Sequence, residues 1–263
     1  MLTSLQNPLV KQLRKLRSAK ERQEQGVFLL EGTHLIQEAC RANYPLETVC
    51  CTLEWQNSHQ LLWEQVTQQA NRREIVSAEV LKAIATTVEP DGVVATVHRR
   101  SHHVQIPYSG ITLALENVQD PGNVGTIIRT ATAAGASGLW LSADSVDMYN
   151  PKVLRATAGQ WFRLPIAVSP DLRTTIQECQ QAGMQVVATL AEAQLTYWEV
   201  DWLRPSLILL GNEGAGLSAA TVAQSDLCVK IPQSPEVESL NVAIAAALML
   251  YEAQRQQRFS TTQ

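Results

Sequence analysis

Long hydrophobic runs are missing from this chain. No apolar stretch approaches the roughly 20 residues of a membrane-spanning helix, although 45% of the 263 residues are hydrophobic, ample for one large core or two ordinary ones. The opening Met1-Leu2-Thr3-Ser4-Leu5-Gln6-Asn7 lacks the basic-then-apolar order of a secretory signal, so a cytoplasmic protein is expected, with no membrane partner. Cysteine is scarce and carries no pairing pattern. Cys40, Cys50, Cys51, Cys179 and Cys228 are odd in number and contain no C-x-x-C. They read as buried reduced thiols, with Cys50 and Cys51 on opposite faces of a strand, and no metal site is expected. There is no internal repeat of 20–50 residues and no low-complexity tract. G-x-G-x-x-G and the P-loop pattern are also absent, which disfavours a dinucleotide-binding oxidoreductase and a nucleoside triphosphatase.

What is there begins with a charge asymmetry. The net charge is −4 at pH 7, yet Lys11, Arg14, Lys15, Arg17, Lys20 and Arg22 fall within twelve residues against the single acid Glu21. Such a run is either a solvated helix face or a surface that tracks phosphates. Leu9, Leu13 and Leu16 predict one amphipathic helix over 8–24, stopped at Gly26. Short strands at 27–30, 46–53, 74–76 and 93–97 follow. They alternate with helices from Thr33 to Ala42, near 58–70, and after Ser77. His98-Arg99-Arg100-Ser101-His102-His103 breaks the periodicity, and reads as exposed linker or as a further phosphate contact. This divides the chain into 1–97, a linker at 98–110, a second domain at 111–257 and a tail at 258–263.

From Ile111 strands and helices alternate regularly, which predicts an α/β fold with a parallel sheet covered on both faces. Three strand–helix junctions there carry polar residues. The first is Glu116-Asn117-Val118-Gln119-Asp120-Pro121-Gly122-Asn123-Val124-Gly125 through Arg129. The second is Leu210-Gly211-Asn212-Glu213-Gly214-Ala215-Gly216-Leu217-Ser218. The third runs from Ile231-Pro232 to Glu238-Ser239-Leu240-Asn241. Ligands bind outside the carboxyl ends of strands in such sheets, so the three suggest one composite site. Singly they have simpler readings. Asn123 and Ser239 suit helix N-caps, Arg129 suits a salt bridge off the apolar stripe of its helix, and the glycines suit a tight turn.

In order and spacing these motifs resemble the SpoU (TrmH-like) family of RNA ribose 2′-O-methyltransferases, over about residues 105–257. The strand–helix pattern of 1–97, opening on Phe28-Leu29-Leu30-Glu31-Gly32-Thr33-His34-Leu35, resembles the family's L30e-like substrate-binding domain. The resemblance implies a methyltransferase domain of SPOUT type with a C-terminal trefoil knot, S-adenosylmethionine as cofactor, and a homodimer through the C-terminal domain. It makes Asn123, Arg129, Glu213, Ser239 and Asn241 catalytic candidates. Thr189, Leu190, Gly211, Ile231 and Leu240 become cofactor contacts, and Lys11, Arg14, Lys15 and Arg17 the RNA-docking set. The chain departs from the family pattern at Gln233, where many members have Met, and at Pro235, where Gly is common. The family's proposed base, Arg129, stays protonated in proteins. It suits phosphate binding or stabilisation of an alkoxide, with Glu213 or a water as rival proton acceptor. The attached N-terminal domain favours rRNA over tRNA as substrate. The other readings are a tRNA 2′-O-methyltransferase and a catalytically silent RNA-binding protein of the same fold.

Overall fold

The computed structural model describes residues 1–99 and 104–260. The chain forms two compact units, Met1–Ser101 with Asp147–Arg163, and His102–Val146 with Leu164–Gln263.

The first unit opens with α1 (Pro8–Lys15) and α2 (Ala19–Gln25), two helices where the spacing predicts one. Asn7 caps α1 by accepting from Leu9 N, and the turn is broken at Ser18, whose backbone is extended (φ −85°, ψ 135°). The break lets Leu9, Val10, Leu13 and Leu16 share a core with Val80, Leu81 and Ile84. Then follow β1 (Val27–Glu31), α3 (Thr33–Arg41), β2 (Leu46–Cys51), α4 (Leu53–Ser58), α5 (Gln60–Gln69), β3 (Ala70–Ile75), α6 (Ala78–Ile84) and β4 (Val93–His98). The expected strand to Leu53 stops at Cys51, because Thr52 caps α4 through Trp55 N. The four strands form a sheet of order β1-β4-β2-β3, antiparallel but for β2 and β3.

The second unit begins with β5 (Ile111–Leu115), α7 (Pro121–Ala134) and β6 (Gly138–Ser142). At Asp147 the chain leaves to complete the first unit with α8 (Pro151–Ala156) and a single 3-10 turn. There Arg22, 2% exposed, meets Asp147 at 2.6 Å and donates to the Leu16 and Arg17 carbonyls. Arg155 pairs with Glu31 and Arg163 with Glu38, while Tyr149 and Trp161 pack their rings against Phe28. Gly159 (φ +82°) comes so close to α3 that a Cβ would lie 2.4 Å from Glu38 Cγ.

The second unit resumes with β7 (Ile166–Ser169), α9 (Leu172–Gln181), β8 (Gln185–Thr189), β9 (Leu195–Thr196), β10 (Ser206–Leu210), α10 (Ala219–Val222), β11 (Leu227–Lys230) and α11 (Val242–Ser260). Its seven strands run parallel in the order β7-β6-β5-β10-β8-β11-β9. β5, β8 and β10 sit inside and are buried on both faces, which is why they read as near-continuous apolar runs. α11 packs against α7. The buried face of α11 is Val242, Ala243, Ala245, Ala246, Met249, Leu250 and Ala253. Ile244, Leu248 and Tyr251, all on the stripe that helical spacing picks out, are instead 51%, 37% and 49% exposed.

Candidate functional site

β8, β10 and β11 all end on one cavity of about 540 Å³, within the range of small-molecule sites. Its wall contains Thr189 and Leu190 from the end of β8, Leu210 to Leu217 from the glycine turn, Ile231 and Gln233 after β11, and Glu238 to Leu240 before α11. The expected cofactor contacts Thr189, Leu190, Gly211, Ile231 and Leu240 are therefore brought together in one wall, with Glu213 and Ser239. Leu190, Leu210, Leu217, Ile231, Leu240 and Val242 make much of it apolar, and Glu192, Glu213 and Glu238 are its charged groups.

The glycine turn holds its shape for a steric reason. A Cβ on Gly211 would lie 2.2 Å from the backbone of Gly216, and Asn212 and Gly216 exchange both backbone hydrogen bonds across the turn. Asn212 Oδ1 accepts from Gly214 N and Ala215 N, while its Nδ2 donates to the Asn117 carbonyl at 2.8 Å. Glu116 accepts from Ser218 N, Ser218 Oγ and Thr221 Oγ1. Asn212 and Glu116 thus tie the first and second motif loops together. Both lie inside the sequence motifs, where their role is not evident. Their one signal is a hydrogen-bonding side chain at the carboxyl end of a buried strand.

α7 starts at Pro121, earlier than the apolar pattern implies, and its N-cap is Asp120, which accepts from Asn123 N. The Asn123 side chain is thereby free of capping duty. Its Nδ2 donates to Glu213 Oε1 at 2.9 Å, and its Oδ1 accepts from Asn241 Nδ2 at 2.9 Å. The N-terminus of α11 is similarly displaced. Asn241, not Ser239, caps it, accepting from Ala243 N and Ile244 N. The result is a directed chain from Asn241 to Asn123 to Glu213 that joins all three motifs.

Glu213 also accepts from Gln119 N and Asp120 N at 3.3 and 3.2 Å. Burial pushes its carboxyl up, but the hydrogen bonds from Asn123 and the surrounding backbone outweigh this and hold it below the usual carboxylate range. A carboxylate so supplied with donors is a poor proton acceptor and a good brace. Arg129 lies elsewhere. It is exposed, outside the cavity wall, about 9 Å along α7 from Asn123 and about 120° around it.

Pro235 stands second in a turn closed by Val237 N and the Ser234 carbonyl, a position its fixed φ suits. Gln233 Oε1 is buried without a hydrogen-bond partner among the described residues.

In the first unit Lys11, Arg14 and Lys15 are exposed on α1. Arg17 lies beyond it, its Nη2 bound to the Ala83 and Ala85 carbonyls at 2.8 and 2.6 Å. Arg99 lies 4.4 Å over the Tyr149 ring. Arg100, His102 and His103, the other linker candidates, lie outside the described residues. The thiols of Cys50, Cys51 and Cys179 are pushed up to about 12 by burial. Among the described residues no three His, Cys, Asp or Glu side chains converge as a metal site, and no helix is long and apolar enough to cross a membrane.

Comparison with known proteins adds the following. The SpoU rRNA methylase family matches residues 110–251, and the MRM3-like substrate binding domain matches residues 7–95. An uncharacterized tRNA/rRNA methyltransferase of Synechocystis is 46% identical over 99% of this chain and 96% of its own. The 23S rRNA (guanosine(2553)-2′-O)-methyltransferase RlmP of Bacillus subtilis is 32% identical over 95% and 97%. The crystal structure of an AdoMet-bound rRNA methyltransferase from Sinorhizobium meliloti superposes with a TM-score of 0.84, at 34% identity and 97% coverage of both chains.

Proposed function

The chain belongs to the SpoU rRNA methylase family, and from that premise we propose that it methylates a ribose 2′-hydroxyl of structured RNA, ribosomal rather than transfer RNA, with S-adenosylmethionine as donor. One observation carries the reading. The second and third motif segments wall a single cavity, and the Asn241–Asn123–Glu213 chain ties the first motif to them. Support for rRNA comes from the Bacillus relative named for 23S rRNA, which aligns with both units rather than with the second alone.

The cavity suits the cofactor. Its apolar walls fit a purine, the backbone of the Gly211 turn and of Ile231 and Leu240 offers donors and acceptors, and its carboxylates suit a cation. Bound there, S-adenosylmethionine supplies an already activated methyl group. What the protein must add is alignment, which can account for a large share of a rate enhancement. Thr189, Leu190, Gly211, Ile231 and Leu240 hold the cofactor, and Ser239 shapes the pocket before α11. Asn123 and Asn241, braced by Glu213, position the reacting groups. Arg129, exposed outside the cavity wall, binds the phosphate next to the target ribose as a permanent cation, and the hydroxyl proton leaves to water. No metal is required, because the methyl donor is already activated.

Lys11, Arg14 and Lys15 dock RNA by its phosphates, Arg17 serving mainly as a tether within its own unit. The protein is a homodimer in which Ile244, Leu248 and Tyr251 of α11, with Trp198 (56% exposed) nearby in the chain fold, bury their apolar faces. A deep C-terminal trefoil knot and residence in the cytoplasm belong to the same reading. The test has two arms. Calorimetry with S-adenosylhomocysteine in the presence of a chelator should show binding. Mapping 2′-O-methyl groups in total RNA with and without the protein should show a position that depends on it. Binding without any such position would leave a silent RNA-binding protein, and a tRNA position would replace the rRNA assignment.

A further inference from the structure

Four glutamine side chains bury a carboxamide oxygen that has no partner among the described residues: Gln25, Gln69, Gln224 and Gln233. Gln25 and Gln69 are anchored through their amide nitrogens, to Glu21 and to the Cys40 carbonyl. Of the four, only Gln233 lines the cavity at the ends of β8, β10 and β11. An unsatisfied buried amide oxygen is costly, and Gln233 shares its wall with Leu190, Leu210, Leu217, Ile231, Leu240 and Val242. An apolar side chain of the same length would avoid the cost.

We propose that Gln233 is a specificity-determining residue that reads the polar edge of the cofactor's adenine. The proposal rests on the cofactor reading given above. A primary carboxamide presents one acceptor and one donor side by side. The adenine edge is its complement, an N6 amino donor beside a ring-nitrogen acceptor, the pairing by which Asn and Gln recognise adenine in nucleic acids. The apolar residues of that wall suit a flat base rather than the charged amino-acid end of the cofactor, for which Glu192, Glu213 and Glu238 are the charged groups of the cavity. A half-turn of the terminal amide exchanges its oxygen and nitrogen, and that torsion is soft. The oxygen can thus leave its unpartnered place to accept from N6, while the amide nitrogen donates to the ring.

The experiment is calorimetry on the full chain with S-adenosylhomocysteine and with its analogue carrying hydrogen in place of the 6-amino group. Both are titrated into the wild type and into Gln233→Met, which keeps side-chain length and loses both polar atoms. The wild type should prefer the amino ligand. Gln233→Met should reduce that preference by about tenfold or more, the size of discrimination a bidentate pair supplies. The side-chain amide resonances of Gln233, assigned by their loss in Gln233→Met, should shift when S-adenosylhomocysteine binds. Equal preference in the two proteins, within about twofold, together with unmoved resonances, would overturn the assignment while leaving the cofactor reading intact. No binding of S-adenosylhomocysteine to the wild type would overturn both. A Gln233→Met protein that fails to fold leaves the resonance shift to decide, with Gln233→Leu used for assignment.

Discussion

Replacing Asn241 separates two jobs that one side chain performs. Its Oδ1 caps α11 by accepting from Ala243 N and Ile244 N, and its Nδ2 donates to Asn123 Oδ1. Asn241→Ala removes both. Losing the cap costs about 1 kcal/mol and losing the hydrogen bond about 0.5–1.5 kcal/mol, so a loss of roughly 1.5–2.5 kcal/mol is expected. Asn241→Asp keeps a capping oxygen of equal quality, so only the hydrogen-bond share of the loss, about 0.5–1.5 kcal/mol, is expected. The donor to Asn123, however, becomes an acceptor. Asn123 has one amide nitrogen and would then sit between two carboxylates, those of Asp at 241 and of Glu213. It can satisfy one fully and must turn its oxygen toward the other. Displacing a positioning group by about 1 Å can cost on the order of 100-fold in rate, and a loss of that order is expected for Asn241→Asp. Thermal denaturation followed by circular dichroism reads the first quantity, and tritiated methyl incorporation into RNA reads the second. Full activity in a stable Asn241→Asp protein would show that Asn241 is only a cap.

Other consequences follow from the same geometry. Arg129→Ala should abolish methyl transfer while S-adenosylhomocysteine affinity, measured by calorimetry, stays within about threefold, because Arg129 lies outside the cavity wall; Arg129→Lys should also be poor, since a point charge does not replace a planar fork. Ile244→Glu with Leu248→Glu should convert a dimer into a species of 29.0 kDa by light scattering, and an unchanged mass would exclude this face of α11 as the interface. Lys11, Arg14 and Lys15 changed together to Ala should raise KM for RNA and flatten its salt dependence, and an unaltered KM would leave the basic run a solvated face. Glu213, held below its ordinary value, is the group to watch with pH. A depressed carboxyl contributes fully above its unfolded value and loses the contribution only as pH falls through the lower folded one. S-adenosylhomocysteine affinity should therefore be level from neutrality down to about pH 5, and a decline centred near pH 6 would contradict the bracing role.

How much was legible beforehand differs from residue to residue. The parallel α/β core was open to reading because β5, β8 and β10 are buried on both faces, and a strand in that setting must be apolar throughout. The three polar junctions were legible because each follows the end of an apolar strand directly in sequence. Capping was less so. Asp120 and Asn241 are the caps where Asn123 and Ser239 looked equally suitable, since several oxygen-bearing residues within one turn compete and packing of the helix decides.

By itself, then, the sequence determined most of the succession of strands and helices, the motif residues and the family, all of which are recorded in short-range pattern. Only the tertiary structure decided which groups meet. Asn241, Asn123 and Glu213 are separated by 90 residues or more along the chain except within the last motif pair. Arg22 looked like one more phosphate ligand in a basic run, yet it is buried against Asp147, 125 residues away. Residues 147–163, read as the middle of the second domain, complete the first unit instead. The physical reason is the same in each case. A charge or an amide declares its hydrogen-bonding capacity in sequence, but its partner is set by how the layers pack, and burial makes that choice binding because an unpaired polar group inside the protein is costly.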